Sequence, residues 1–187
     1  MKKIILNLIL LCCFLNAMAQ NEVLVSPVIN PPYSPYLSDY EEEAIILLQN
    51  NTSRNLQIKL SGRLTGDNGF EAFTKPEFQP LSAIELRPLE SRTIFAASES
   101  RGFLDRANIE TNLNGRVEQN IIATGILPEG NYLFCIQALD FQSGEALSQE
   151  APFGCIPISI SFPQPPQIIQ PHCETFVQQE YPTISWT

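Results

Sequence analysis

The chain has 187 residues, 44% of them hydrophobic, and its twenty acidic against eleven basic side chains leave a formal net charge of −9. That length suffices for one domain with a real hydrophobic core and the start of a second. The acidic balance excludes nucleic acid and anionic lipid headgroups as partners unless a basic patch exists, and Arg54, Arg63, Arg87, Arg92, Arg101, Arg106 and Arg116 are scattered singly.

Lys2 and Lys3 precede an apolar run from Ile4 to Leu15, which ends in Ala17-Met18-Ala19. The run is shorter than the about 20 apolar residues a bilayer span needs, and small residues close it, so residues 1–19 read as a cleaved secretory signal with Gln20 as the new N-terminus. Leu11 before Cys12 argues against a lipid-attachment site, which wants a small residue there. Loss of two lysines leaves nine basic residues against twenty acidic, a net of −11, and no transmembrane segment is expected in what remains.

Short apolar segments separated by turn chemistry follow, and none keeps a helical period beyond about two turns. Strands are expected over 22–29 and 44–49. The second is apolar on both faces at Ala44-Ile45-Ile46-Leu47-Leu48, as a central strand should be, with the core on one side and the preceding Pro-rich segment on the other. In that segment Tyr33, Tyr36 and Tyr40 carry apolar bodies with polar tips on a proline-stiffened backbone, which makes them the candidate interaction surface for protein or glycan; packing over strand 45–48 is their competing role. Asp39 with Glu41, Glu42 and Glu43 lacks the spaced pattern of a calcium loop and reads as a solvated acidic turn opening a short helix after Ser38. Asn50 and Asn51 both satisfy a glycosylation sequon.

Leu56, Ile58, Leu60 and Leu64 alternate toward a core, Asp67-Asn68-Gly69 supplies positive-φ residues for a tight turn, and residues 70–74 return as the partner strand. Further strands are expected over 81–86, 92–97, 131–139 and 155–162. Between them, Phe103, Leu104 and Ala107 share a helical face, so one or two helical turns should cross an end of the sheets. About seven strands with one helical connection make an all-β, immunoglobulin-like antiparallel β-sandwich over residues 20–162.

Cysteines complete the layout. Alternation puts Tyr132, Phe134, Ile136 and Ala138 on one face and Leu133, Cys135 and Gln137 on the other, while Cys155 falls with Pro157 and Ser159 opposite Ile156 and Ile158. A Cys135–Cys155 disulfide on the outer face or near the strand ends follows, as an exported chain favours; two free thiols are the alternative. Pro163-Gln164-Pro165-Pro166 is a stiff linker. After it, residues 167–187 resemble the opening of a fibronectin type III repeat, ending at Trp186, as a truncated second β domain. Cys173 beside His172 is too small a set for a closed metal site and should find its partner farther along the polypeptide.

Pro31 to Tyr40, with Leu127-Pro128-Glu129-Gly130-Asn131-Tyr132 and Phe134-Cys135, resemble the TANFOR domain of secreted Bacteroidota proteins over roughly residues 23–162. The resemblance implies a signal peptide, a place near the N-terminus of a larger exported or surface protein, fibronectin-like repeats after it, and no catalytic residues.

Three functions are therefore compared. The first is a non-catalytic module, secreted or at the cell surface, that scaffolds or touches protein or glycan; the periplasm is the other compartment its signal allows. The second is a carboxylate-based glycosidase, set back because no constellation of catalytic, metal-binding or cofactor-binding residues stands out, so no cofactor is expected. The third is an assembly subunit that pairs by a strand edge, opposed in part by Pro27, Pro31 and Pro32 on the N-terminal strand.

Overall fold

The computed structural model describes residues 21–100, 102–112, 121, 124–162, 168–170 and 185–186. The segments expected as a signal, residues 1–19, and as a linker, residues 163–166, together with His172 and Cys173, lie outside these. Strands β1 (Val23–Val28), β2 (Ile45–Asn50), β3 (Leu56–Gly66), β4 (Glu71–Thr74), β5 (Ile84–Leu86), β6 (Ser91–Phe95), β7 (Ile109–Thr111), β8 (Gly130–Asp140) and β9 (Cys155–Ile160) form two antiparallel sheets. One has the order β1-β2-β6; the other runs β7-β4-β3-β8-β9, with β5 beside the first half of β3. The chain is thus an all-β antiparallel sandwich with short helical connections. Beyond it, Ile168–Gln170 and Ser185–Trp186 pair antiparallel in a ladder of their own.

Period-two burial explains the layering. Val23, Val25, Ile46, Leu48 and Ile94 point inward from the smaller sheet, and Leu56, Ile58, Leu60, Leu64, Phe134, Ile136, Ala138 and Ile158 from the larger one. A slip of one residue would turn every one of these side chains outward, so the buried face pins the register. The β3–β4 hairpin forms where expected, with Arg63 opposite Phe73 and Thr65 opposite Glu71. Its turn needs one left-handed residue where Asp67-Asn68-Gly69 was expected to supply several. Gly69 is at φ +82°, with its N–H donating to Gly66 and Gly66 donating to Phe70, and Asn68 keeps an ordinary negative φ.

Several elements differ from expectation, each for a local reason. Helix α1 (Leu37–Glu43) opens two residues before Asp39, because Leu37 and Tyr40 one turn apart bury the same face. Strand β6 stops at Phe95, and Ala96–Glu99 turn into helix α2, so the residues after 95 leave the sheet. Strand β5 is only Ile84–Leu86, with Leu81 fully exposed.

The expected helical face of Phe103, Leu104 and Ala107 does not form. Phe103 and Leu104 are buried from a turn, while Ala107 lies exposed in the 3-10 turn Arg106–Asn108. Gly102 at φ +93° breaks any continuous helix there, and Glu41 of α1 accepts hydrogen bonds from the N–H groups of Gly102 (2.5 Å) and Leu104 (3.0 Å). This plug seats over Gly62 of β3, where an added Cβ would come within 2.7 Å of Leu104 and 3.0 Å of Phe103. Strand β7, unseen in the sequence, follows immediately and pairs with β4.

The disulfide joins Cys135 and Cys155, directly opposed on β8 and β9. Parity along the strands placed both on the outer side, and that is where they are. Cys135 is nonetheless buried, in a neighbourhood where the 148–154 loop folds onto β8: Gln137 donates to the Ser148 carbonyl and Ile136 N–H to Gly154.

Candidate functional site

The three tyrosines named from the sequence end in three different environments. Tyr40 is 1% exposed, its ring 5.8 Å from that of Phe134, and its hydroxyl donates to the Ser34 carbonyl at 2.5 Å. It is core, and it cannot meet a partner. Tyr33 is half-buried against the core and Tyr36 is 46% exposed.

What the structure does bring together is the pair of segments that carry the family resemblance. Leu127 donates its N–H to Pro35, Leu37 donates to Gly125, Tyr36 and Ile126 form an antiparallel bridge, and the Tyr132 hydroxyl donates to Pro128. With the Tyr40–Phe134 ring contact, residues 33–40 and 125–134 form one packed unit, so the tyrosine and proline spacing there serves that packing first.

Burial, with Glu43 nearby, pushes the Tyr40 hydroxyl well above the usual phenol range. Since the folded value lies above an unfolded value near 10, the native state keeps its advantage below pH 10 and loses about 1.4 kcal/mol per pH unit above it. Tyr40→Phe is expected to cost about 1 kcal/mol at pH 7 through the lost bond to Ser34, and to flatten the alkaline loss of stability between pH 10 and 12. Urea titrations at those pH values check this. Tyr132, also raised by burial although Asn68 bonds to it, supplies the slope that remains.

A cavity of about 760 Å³ opens beside α1, walled by Leu37, Leu104, Ile109 and Ile121, with Glu41, Glu42 and Asp105 among its carboxylates. These acids do not converge on a common point of chemistry. Glu41 spends both oxygens on the Gly102 and Leu104 amides, and Asp105 accepts from Ala107. Among the described residues no group of three or more His, Cys, Asp or Glu side chains is placed to hold a metal ion, and no helix is long and apolar enough to cross a membrane.

The surface that sequence reasoning missed is the outer face of the smaller sheet. Strand β2 is central, as its double-sided apolarity implied, but the Pro-rich segment does not cover it: Leu47 is 41% exposed. Register sets three rows across β1, β2 and β6, namely Val28–Ile45–Phe95, Ser26–Leu47–Thr93 and Leu24–Gln49–Ser91. None of these side chains is charged, and Val28 and Phe95 are 47% and 56% exposed. The opposite face of the sandwich, in contrast, carries Lys59, Arg63, Glu71, Glu85 and Glu110, with Arg63 held between Glu71 and Glu150. The clue was present in Ile45 and Leu47, whose apolar side chains alternate with those of the core face.

Fold and surface together define a disulfide-bonded antiparallel β-sandwich with one neutral, solvent-facing sheet. Compared with known proteins, the chain matches no family model and no curated protein.

Proposed function

We propose that the chain is a non-catalytic, extracytoplasmic β-sandwich module near the N-terminus of a larger secreted or cell-surface protein, acting by scaffolding or by contact with protein or glycan. The observation that carries the reading is the uncharged outer sheet face with Val28, Leu47 and Phe95 in solvent, on a chain whose net charge is −9. Exposed apolar area of this kind suits contact, whereas Glu41 and Asp105, beside the cavity at α1, are occupied in holding backbone.

Export is supported by the N-terminal segment and by the Cys135–Cys155 bond, since oxidising compartments maintain such bonds. The TANFOR-like motifs support the same setting. Incubated with polysaccharide, peptide and ester panels, the purified chain is expected to leave all of them intact. Turnover that Glu41→Gln or Glu42→Gln abolishes would overturn the reading in favour of an enzyme.

A further inference from the structure

Backbone hydrogen bonds show which strand edge is open. Ala96 donates to Ala44 and Asn50 donates to Glu90, one pair at each end of the β2–β6 ladder. The alternation of an antiparallel pair then directs Arg92 and Ile94 toward β2, and turns the N–H and C=O groups of Ser91, Thr93 and Phe95 away from it. Among the described residues no strand pairs on that side.

The other edges are guarded. On β1 the Val23 N–H is taken by Leu147, and Pro27, two steps on in the same outward phase, has no N–H to offer. On β9 the bond from Ile136 to Gly154 sets the phase, and it places Pro157 at the outward position. Strands β5 and β7 are three residues each. Strand β6 is a five-residue edge with no proline, and it borders the neutral face.

We infer that the β6 edge accepts an extended segment of another polypeptide as a fourth strand of the smaller sheet, a segment uncharged and apolar at alternate residues. Its backbone would pair with Ser91, Thr93 and Phe95, and every second side chain would lie beside Thr93 and Phe95, extending the rows that start at Val28 and Ser26. Size decides against a second copy docked flat on the face. Two strand spacings by four residue steps give about 10 by 14 Å, on the order of 300 Å² with side-chain width added. A stable dimer needs about 800 Å² from each partner. A single added strand draws on main-chain bonds and needs no such area.

This inference rests on the contact-module reading, and its test reads a different quantity. The probe is a displayed library of random ten-residue peptides selected on the whole purified chain, followed by synthesis of the enriched sequences. Enriched peptides are expected to alternate apolar and uncharged residues. Thr93→Pro, which removes the central outward N–H without touching the bonds to β2, should weaken their binding at least tenfold, and so should Phe95→Lys. On the unmutated chain, saturating peptide should slow hydrogen exchange at Ser91, Thr93 and Phe95 at least tenfold, a readout independent of how the variants fold. No enrichment, or winners that ignore Thr93→Pro and leave those three amides unprotected, overturns the inference. A concentration-dependent dimer dissolved by Thr93→Pro would give the edge to a second copy and overturn the choice of occupant. Enzymatic turnover would sink the parent reading while leaving these measurements as they are.

Discussion

Replacing both bridged cysteines, as Cys135→Ala with Cys155→Ala, is expected to lower the free energy of unfolding by about 3 kcal/mol, the chain-entropy value for a loop of this length. The two residues are 20 apart in sequence and face each other across β8 and β9. The bond therefore removes denatured-state freedom from a connection that the β8–β9 ladder must otherwise close alone. Alanine is the right replacement because Cys135 is 4% exposed, and a serine hydroxyl there would add a desolvation cost of its own. Urea unfolding with and without a reductant should show the midpoint fall, and reductant should leave the double variant unmoved. A shift below about 0.5 kcal/mol would mean that the hairpin is closed by packing and the bond is redundant.

Phe134→Ala should cost about 3 to 5 kcal/mol, the range for emptying a fully buried aromatic site. Phe134 is 0% exposed, sits opposite Leu64 of β3 and Ile156 of β9, and meets the Tyr40 ring from the far side of the core. Its loss should loosen α1 as well as the sheet. Hydrogen exchange at Leu37 and Leu127, whose amides tie the 33–40 and 125–134 segments together, is expected to quicken more than global destabilisation explains. An effect below 1 kcal/mol, or exchange at those amides unchanged, would show that the two segments are joined by their backbone bonds alone.

The contrast between β3 and the 100–109 segment shows what local pattern can carry. Leu56, Ile58, Leu60 and Leu64 alternate over a strand whose two faces meet different media, so the period is written in the residues themselves. Phe103 and Leu104 are buried by a different cause. A carboxylate 61 residues away in sequence, on Glu41, holds the Gly102 amide, and Gly62 leaves the hollow that receives the two side chains. No spacing within the segment reports that. Of the three tyrosines, for which packing and contact were both open, Tyr40 is settled by a related cause: ring and hydroxyl look alike in a core and at a surface, and only the position of Phe134 and the Ser34 carbonyl sends it inward. At Ala44 to Leu48 the double-sided pattern correctly marked a central strand, but which of its faces meets solvent depends on where the Pro-rich segment goes.

Alternation, turn residues and cysteine parity by themselves determined that this is a stapled antiparallel sandwich, and which side chains of β3 and β8 face its core, because strand geometry alternates sides every residue and needs no long-range information. Only the tertiary structure decided that Tyr40 is core, that the outer face of β1, β2 and β6 is bare and neutral, and that β6 is the unguarded edge. Those depend on which strands become neighbours and which carbonyl meets which amide, and distant segments settle both.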